Sequence, residues 1–379
     1  MKKTLIALAA LAVVSAASAQ STVTMYGLLD LGVGSYTNEN NGADTKTTSV
    51  QQGALSNSRL GFKGSEDLGG GLKANFVAEF SLYPDVSAQT FANRQSTIGL
   101  SGKFGEMTIG STYTPYFVVQ NAVDLVGNAN ATPGYVVNNH MTDGGRARNA
   151  ITYTTPSFSG FTVTAQVSAG SENAENAGKG VAITIVPTVV PVTAGSATAG
   201  VQNKSFGLSG IYAAGPLVAA LAYNSTTNPY VATGTDPHAA SWDNISGLGV
   251  NIGTGATELN VWAAGALYDF GVAKASLAYT SLTAKQVAGD DITSKGYNVS
   301  VAVPFGAVTV VGNAGKANLQ VPGLTESNIT GFQLGANYAL SKRTTAYALI
   351  GKDTTQSDVV TAGGEYTRRS TTVGLRHTF

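Results

Sequence analysis

Apolar and polar residues alternate along most of the chain. In the segments 161–168 (FTVTAQVS), 297–303 (YNVSVAV) and 331–338 (GFQLGANY), every second residue belongs to an apolar set and the residues between them are mainly small or polar. Successive side chains of a β-strand point to opposite faces, so each segment has one apolar and one hydrated face. No stretch shows a convincing helical period with caps. The pattern predicts an all-β protein.

Tight turns rich in glycine, proline and serine alternate with long polar loops. The tight turns lie at 65–71, 103–105, 156–160, 215–216, 269–271, 304–306 and 340–343. Such residues supply the backbone angles that turns require. Counting outward from these turns, we place sixteen strands at about 22–34, 56–64, 72–81, 95–102, 106–112, 149–155, 161–169, 204–213, 217–224, 258–268, 272–280, 294–303, 307–316, 329–339, 344–352 and 370–379.

An even number of strands of roughly ten residues, with short turns at one end and long loops at the other, is typical of an outer-membrane barrel. A closed barrel gives every backbone polar group a partner inside the lipid. A β-sandwich is the soluble alternative, but it usually carries more surface charge. Aromatic residues also crowd the tight turns, as expected at a membrane interface: Phe104, Phe158, Phe161, Tyr212, Tyr268, Phe270, Phe305 and Tyr338. We therefore predict a 16-stranded antiparallel transmembrane β-barrel with short periplasmic turns and long extracellular loops.

The N-terminus has the pattern of a secretory signal peptide. Lys2 and Lys3 precede an apolar stretch of about ten residues, and Ala17 and Ala19 form a small-residue cleavage site. A membrane anchor would need about 20 apolar residues. We predict a signal peptide over residues 1–19 and a single barrel domain over residues 20–379.

The composition argues against catalysis and against nucleic-acid binding. The chain has no Cys, which excludes a thiol nucleophile and a zinc knuckle, and its 22 basic residues are balanced by 22 acidic ones. His140, His238 and His377 are too dispersed for a metal site. No GxSxG motif is present, and Gly69–Gly71 lacks the Lys-Ser/Thr pair of a phosphate loop. We predict no enzymatic activity, no metal and no cofactor.

Several stretches resemble the general porins of Gram-negative outer membranes, in particular the beta-proteobacterial and neisserial branch. They are VTMYGLLDLGVG, NSRLGFKGSEDLGGGLKANFVAEF, NRQSTIGLSGKFGEMTIGSTYTP, RNAITYTTPSFSGF and the ending TTVGLRHTF. The resemblance implies a homotrimer in the outer membrane, with one water-filled pore per subunit for passive diffusion of ions and small hydrophilic solutes. It also implies that the third extracellular loop, about 113–147 here, folds into the barrel and narrows the pore.

The resemblance further implies a row of basic residues at the narrowest point of the pore. Arg59, Arg94 and Arg148 stand where the motifs of the family carry arginines that face the pore. The alternation of side chains along the strand supports a lumen position for Arg59, which shares a face with Lys63. Arg146 competes with Arg148 for the third place.

Strict alternation conflicts with the resemblance at Arg94. It puts Arg94 on the same face as Ile98 and Leu100, so a lumen position requires a bend in the strand. On the preceding strand, parity turns Lys73 and Glu79 toward the lumen. The alternative for all these arginines is a solvated position at the rim of the barrel.

The acidic side of the constriction is predicted at Asp124, within the third loop. The enteric porins carry a Pro-Glu-Phe-Gly-Gly stretch in this loop, where the present chain has Thr114–Phe117. Three arginines facing one or two carboxylates would favour small anions mildly, because opposed charges in a narrow pore tune which ions pass.

The last strand carries an assembly signal in addition to its place in the barrel. Val373, Leu375, His377 and Phe379 share one face, and Arg376 lies on the other, which faces the lumen. A terminal aromatic residue after alternating apolar residues resembles the tag that the barrel assembly machinery recognises. A merely apolar last strand is the alternative. Lipid and lipopolysaccharide of the outer membrane are the other expected partners.

Two further functions remain open at this point. A substrate-selective barrel would need specific side chains in the pore, and only Tyr113, Tyr116 and Phe117 cluster there. The exposed loops could also make the barrel an adhesin or a phage receptor. An autotransporter is disfavoured because no passenger-sized domain precedes the barrel. The apolar run Val181–Val192 in the fourth loop could extend a hairpin, pack over a neighbouring subunit or be a variable insertion.

Overall fold

A computed structural model of the chain describes residues 22–40, 42–85, 92–127, 145–169, 204–227, 256–286, 289–323, 326–357 and 364–379. Within these ranges, seventeen strands form one sheet, and a helix follows the sixth strand. The strands are β1 (Thr22–Asn40), β2 (Ala43–Gln52), β3 (Arg59–Gly69), β4 (Leu72–Ser81), β5 (Ala92–Gly102), β6 (Gly105–Tyr113), β7 (Arg146–Thr154), β8 (Phe161–Ser168), β9 (Ser205–Ala214), β10 (Leu217–Thr227), β11 (Ala256–Asp269), β12 (Lys274–Gln286), β13 (Ile292–Phe305), β14 (Val308–Gln320), β15 (Ser327–Ala339), β16 (Thr344–Ser357) and β17 (Gly364–Thr378). The helix is α1 (Pro115–Ala122).

Two of the seventeen strands occupy one place in the barrel. Residues 31–40 of β1 pair with β2, and residues 22–28 of β1 pair with β3. β2 and β3 are therefore the two parts of one interrupted strand. The other edge of β1 pairs with β17, which closes the sheet. The predicted fold, a closed antiparallel barrel of sixteen strands, is confirmed. The sequence missed β2, because ADTKTTSVQQ has almost no apolar positions.

Alternation separates a lipid-facing from a lumen-facing surface. On β12, Ser276 and Thr280 are buried inside the barrel, whereas Leu277 between them is 52% exposed on the outside. The aromatic residues at the tight turns also face outward, and their rings pair: the centroids of Phe161 and Tyr212 are 4.6 Å apart. Such a ring of aromatic side chains suits the headgroup region of a membrane.

The first and last strands, β1 and β17, meet at the seam of the barrel. The amide of Gly27 donates to the carbonyl of Phe379, and the amide of Phe379 donates to the carbonyl of Gly27, both at 3.0 Å. A Cβ at position 27 would lie 2.6 Å from the Phe379 ring. A glycine is therefore required where the terminal aromatic ring crosses β1.

Helix α1 lies inside the barrel and corrects the expectation that the chain has no capped helix. Pro115 occupies its first turn, and the Thr114 hydroxyl caps it by accepting from the Phe117 amide. Tyr116 and Val119 are buried against an apolar stretch of the inner wall, which is formed by Ala220, Ala222, Leu259, Val261, Ala263, Leu282, Ala284, Ile292, Ala317, Leu319 and Ile329. The first part of the third loop thus folds inward, as expected.

A second segment, residues 53–58 between β2 and β3, also turns inward. The Asp30 carboxylate holds it, since Oδ2 accepts from the amides of Leu55 and Ser56 at 2.8 and 2.7 Å. The Tyr347 hydroxyl donates to Oδ1 of the same carboxylate at 2.7 Å. Leu55 and Val126 belong to one buried cluster, so this segment and the third loop pack together in the lumen.

Most strands extend further toward the long loops than the sequence predicted. β16 continues to Ser357, where the predicted strand ends near 352, and β17 begins at Gly364, where the predicted strand begins near 370. These extensions are rich in threonine and charged residues, so they lack the apolar face on which the prediction relied. Among the described residues, no helix has both the length and the apolar composition that a membrane span requires. The signal peptide, His140, His238 and the run Val181–Val192 lie outside the described residues.

Candidate functional site

A buried ion pair forms the centre of the charged inner wall. Nε of Arg94 lies 2.6 Å from Oε1 of Glu79, and the two side chains are 6% and 5% exposed. Nη2 of Arg94 also donates to the Tyr113 hydroxyl at 3.1 Å. The Arg94 guanidinium is therefore fixed by a carboxylate on β4 and by a phenol at the end of β6.

A β-bulge explains how Arg94 reaches the lumen. Along β4 and β5, Glu79 pairs with Gln95 and Phe80 pairs with Asn93, so Arg94 has no partner across the strands. An extra residue of this kind shifts the alternation by one position. Strict alternation therefore assigned the wrong face to Arg94, and the bend that the lumen position required is present.

Arg59 and Tyr26 complete the shell around the Glu79 carboxylate. Nη1 of Arg59 is 3.9 Å from Oε1, and the Tyr26 hydroxyl donates to Oε2 at 3.1 Å. The Arg59 side chain is 25% exposed. On the same face, the Lys63 ammonium lies 5.4 Å from the centroid of the Tyr26 ring, a cation–π contact.

Arg146 joins this group through Tyr113. Its guanidinium carbon lies 5.2 Å from the centroid of the Tyr113 ring, and the same ring stacks on Phe117 with a centroid distance of 4.9 Å. Arg148 is half-buried two residues further along β7, and its carbonyl accepts from the Ser168 hydroxyl at 2.6 Å. Tyr113 therefore connects Arg146, the competing candidate, to Arg94.

The local backbone of β7 is irregular at this point. Asn149 has a φ of 50°, and the pairing with β6 shifts between Gly110 and Thr112. An irregularity of this kind changes which side chains face the lumen. The sequence alone could not choose between Arg146 and Arg148, because the choice depends on where the bulge falls.

Asp124 lies at the other end of α1, away from Tyr113 along the third loop. Its Oδ1 accepts from the amides of Val126 and Gly127 at 3.0 and 3.2 Å, which stabilises the turn after the helix. Helix α1 contacts β8–β11, whereas the arginines and Glu79 lie on β3–β5 and β7. Helix α1 and the basic residues therefore lie against different arcs of the inner wall.

Other charges face the lumen away from this group. Arg376 is paired across the strands with Asp30, and its Nη1 donates to the Ser56 hydroxyl at 3.5 Å. Lys73 is exposed near the tight turn and pairs with Asp67 of β3 across the strands. Arg368 and Asp353 form a two-point ion pair of 2.8 and 2.6 Å, which sequence analysis missed because only the register of β16 and β17 brings them together.

The arrangement concentrates positive charge on one arc of a water-accessible lumen. We name the side chains of Arg59, Glu79, Arg94, Tyr113 and Arg146 the arginine cluster; it contains three cations and one carboxylate. In a wall of low dielectric constant, such fixed charges act on passing ions more strongly than they would in bulk water. Among the described residues, no group of three or more His, Asp or Glu side chains could hold a metal ion.

Comparisons with known proteins agree with this geometry. A sequence model of Gram-negative porins matches residues 7–358. The chain is 33% identical to outer membrane porin protein 32 of Delftia acidovorans over 100% of both chains. It is 34% identical to the major outer membrane protein P.IB of Neisseria gonorrhoeae over 46% of this chain and 51% of that protein. Among solved structures, the anion-selective porin from Comamonas acidovorans superposes with a TM-score of 0.71 at 26% identity, covering 95% of this chain and 100% of that one.

Proposed function

Because this chain belongs to the Gram-negative porin family, a family of diffusion channels in the outer membrane, we propose that the arginine cluster is the ion-selecting constriction of its pore. Membership confirms the resemblance predicted from the sequence motifs. The chain is an outer-membrane porin that passes ions and small hydrophilic solutes passively. The proposal adds which residues select the ions, and it includes no enzymatic step and no cofactor.

The observation that carries the proposal is the excess of cations around a single carboxylate. Glu79 neutralises most of the charge of Arg94, since the two groups are in direct contact at 2.6 Å. Arg59, which is 25% exposed, and Arg146 are left to act on ions in the lumen. Arg148 and Lys63 add positive charge nearby. This balance favours anions, and the family relative from Comamonas acidovorans is described as anion-selective.

The acidic side of the constriction is assigned to Asp124. The third loop places it inside the barrel, where the neighbouring Val126 is buried. The backbone amides of Val126 and Gly127 donate to the carboxylate and hold it in place. The negative charge of this single carboxylate, which two backbone amides already stabilise, offsets only a small part of the positive charge of three arginines. The preference for anions is therefore expected to be mild.

The assembled form is proposed to be a homotrimer with one pore per subunit. The family resemblance of the sequence motifs supports this, as does the apolar outer surface that most strands contribute. The signal peptide over residues 1–19 would direct the chain to export, and residues 20–379 would form the barrel. Outer-membrane lipid and the barrel assembly machinery are the partners that such a barrel requires.

A planar-bilayer experiment tests the proposed function. We expect purified protein to insert with conductance steps in groups of three, and a salt gradient of potassium chloride to give a reversal potential on the chloride side. A reversal potential on the potassium side would leave the channel in place but contradict the role of the arginine cluster. Folded protein that gives no steps would contradict the channel itself and favour an adhesin or receptor.

Removal of Phe379 is expected to reduce assembly in cells. The terminal residue makes two hydrogen bonds with Gly27, and its ring packs over that glycine at the seam. A chain ending at Thr378 loses both interactions and the aromatic terminus that resembles the assembly tag. We expect several-fold less folded barrel in outer-membrane fractions, measured by heat-dependent mobility in gels.

The control for this prediction is Phe379→Tyr, which keeps an aromatic ring at the same place. It should assemble at the level of the unmodified chain. Equal assembly of the truncated chain would contradict a role for Phe379 as an assembly signal.

A further inference from the structure

The wall of the barrel is interrupted between β2 and β3. β2 ends opposite Leu31 of β1, and β3 begins opposite Leu28. β1 therefore advances by two residues where the neighbouring chain advances by six, residues 53–58. The surplus residues have no place in the pairing of the sheet, and the segment 53–58 lies inside the lumen, where Leu55 is buried.

The polar groups of Asp30 hold this segment in place. The amide of Asp30 donates to the Ser58 hydroxyl at 3.0 Å, and its carbonyl accepts from the Gly53 amide at 3.0 Å. Its carboxylate accepts from two further amides of the segment and from the Tyr347 hydroxyl. Both ends and the middle of the segment are thus fixed to one residue of β1. We name the side chains of Asp30 and Tyr347 the clamp.

The clamp is built around a fully buried carboxylate. Asp30 has an exposed fraction of 0%, and burial of such a group is unfavourable unless donors replace its water. Two amides and a phenol supply these donors, and Arg376 lies opposite Asp30 across the strands. Hydrogen bonds to an ionised group are roughly twice as strong as those between neutral groups. The segment is therefore held firmly against the wall.

The segment also contacts the third loop. Leu55 and Val126 belong to one buried cluster, together with Leu349 of β16. Gly127 has a φ of 96°, and a Cβ at this position would lie 2.5 Å from the carbonyl oxygen of Leu55. A glycine is required where the loop passes the segment. A displacement of the segment would therefore free one contact of the loop as well.

The third loop and the segment together form an inner layer along the wall. Helix α1 covers β8–β11, and a Cβ at Gly265 of β11 would lie 2.7 Å from Cγ2 of Val123. Val126 then shares its cluster with Ala302 of β13 and Val311 of β14. The segment continues the layer to β16 and β1 through the clamp. The arginine cluster, on β3–β7, occupies the arc between the two ends of this layer.

We propose that the clamp sets the width of the pore by fixing residues 53–58 as a second inserted segment of the constriction. The inference rests on the proposed function, because it takes the arginine cluster as the opposite side of the same narrow point. Ser58 directly precedes Arg59, so the segment adjoins the cluster within the chain itself. The arginine cluster selects solutes by charge, whereas the clamp limits them by size. Asp30 and Tyr347 are positioning residues that act through the segment.

Thiol accessibility tests whether the clamp holds the segment. The chain has no Cys, and Leu55 is only 4% exposed, so Leu55→Cys supplies a single thiol that reports displacement of the segment. Its reaction with a small charged methanethiosulfonate is followed by mass spectrometry of the refolded barrel. We expect Asp30→Asn and Tyr347→Phe each to accelerate this reaction about tenfold, because a hydrogen bond to a charged group contributes about that factor to an equilibrium.

Exclusion of neutral polymers tests whether the segment limits the pore. Polyethylene glycols that enter a pore lower its conductance, and larger ones do not. In planar bilayers we expect the cut-off for both clamp variants to shift to larger polymers. Tyr347→Phe changes no charge, so its reversal potential should equal that of the unmodified channel. An unchanged or smaller cut-off in a variant with accelerated thiol reaction would overturn the proposal, and so would an unaccelerated reaction in both variants.

The matched control removes another buried carboxylate of the inner wall. Asp353 is 2% exposed and pairs with Arg368 of β17. Asp353→Asn should retain the thiol reaction rate and the cut-off within about twofold, as expected for an independent site. Equal acceleration in this control would contradict a specific role of Asp30. A shifted cut-off in the clamp variants of a channel that prefers potassium would support the clamp while contradicting the proposed role of the arginine cluster.

Discussion

Replacing Arg59 and Arg146 by glutamine moves the reversal potential of the channel from the chloride side to the potassium side. These two arginines carry the positive charge that Glu79 does not neutralise directly, and Arg59 is partly open to the lumen. A unit charge about 4 Å from a passing ion contributes about 1 kcal/mol at the dielectric constant of water. Loss of both removes about 2 kcal/mol of attraction for chloride, which should lower the chloride-to-potassium permeability ratio by about thirtyfold.

The control for this prediction loses the same number of charges outside the lumen. Lys316 on β14 and Lys352 on β16 alternate with buried lumen-facing residues, so their side chains lie on the outer surface. Lys316→Gln/Lys352→Gln removes these two cations, and in a bilayer of neutral lipid it should leave the reversal potential unchanged. The measurement is a potassium chloride gradient at low ionic strength, where charge effects are least screened. An unchanged ratio in the arginine variant would show that selection occurs elsewhere in the pore.

The Glu79→Gln variant is expected to change selectivity in the opposite direction and to lower stability. It removes the carboxylate that contacts Arg94 at 2.6 Å and leaves a guanidinium that is only 6% exposed without its counter-ion. Loss of one partner of a buried ion pair costs about 3 kcal/mol. The chloride-to-potassium ratio should rise about fivefold, because one negative charge is removed from the constriction.

Both effects of Glu79→Gln are measurable on the same sample. The temperature at which the barrel loses its folded mobility in gels should fall, while the reversal potential moves further to the chloride side. Glu66→Gln, which removes an exposed carboxylate near a tight turn, should change neither quantity. A stable Glu79→Gln barrel with unchanged selectivity would contradict the central place of Glu79 in the arginine cluster.

The barrel itself was predictable because its lipid-facing surface obeys a simple rule. Each strand must present apolar side chains at every second position, and the tight turns must use residues with special backbone angles. Those two constraints located most strands to within a few residues at the turn ends. They failed at β2, where the wall no longer contacts apolar surroundings and ADTKTTSVQQ is free to be polar.

The constriction was only partly predictable, because its residues depend on irregular backbone. A bulge turns Arg94 inward, and a shift in pairing separates Arg146 from Arg148. Neither irregularity has a local signature in the sequence. Glu79 was placed in the lumen by parity, but its contact with Arg94 required the fold.

The contact of α1 with the inner wall was missed, although the sequence of the wall contains a signal for it. The residues LNVWAAGA at 259–266 are almost continuously apolar, although a strand beside a water-filled lumen should alternate. The inner positions Leu259, Val261 and Ala263 are apolar because Tyr116 and Val119 of α1 cover them. A strand that is apolar on both faces therefore indicates which part of the wall an inserted loop will cover.

The seam between β1 and β17 also constrains the order in which the protein can fold. Every other neighbouring pair of strands is close in the chain, whereas Leu28 pairs with Thr378. Closing a segment of that length costs about 3 kcal/mol more in chain entropy than closing a ten-residue hairpin. Hairpins can therefore form early, but the seam must form last, after β17 has been synthesised. Until then the sheet has two unpaired edges that can template aggregation, so a nascent chain must be kept unfolded during its transit to the membrane.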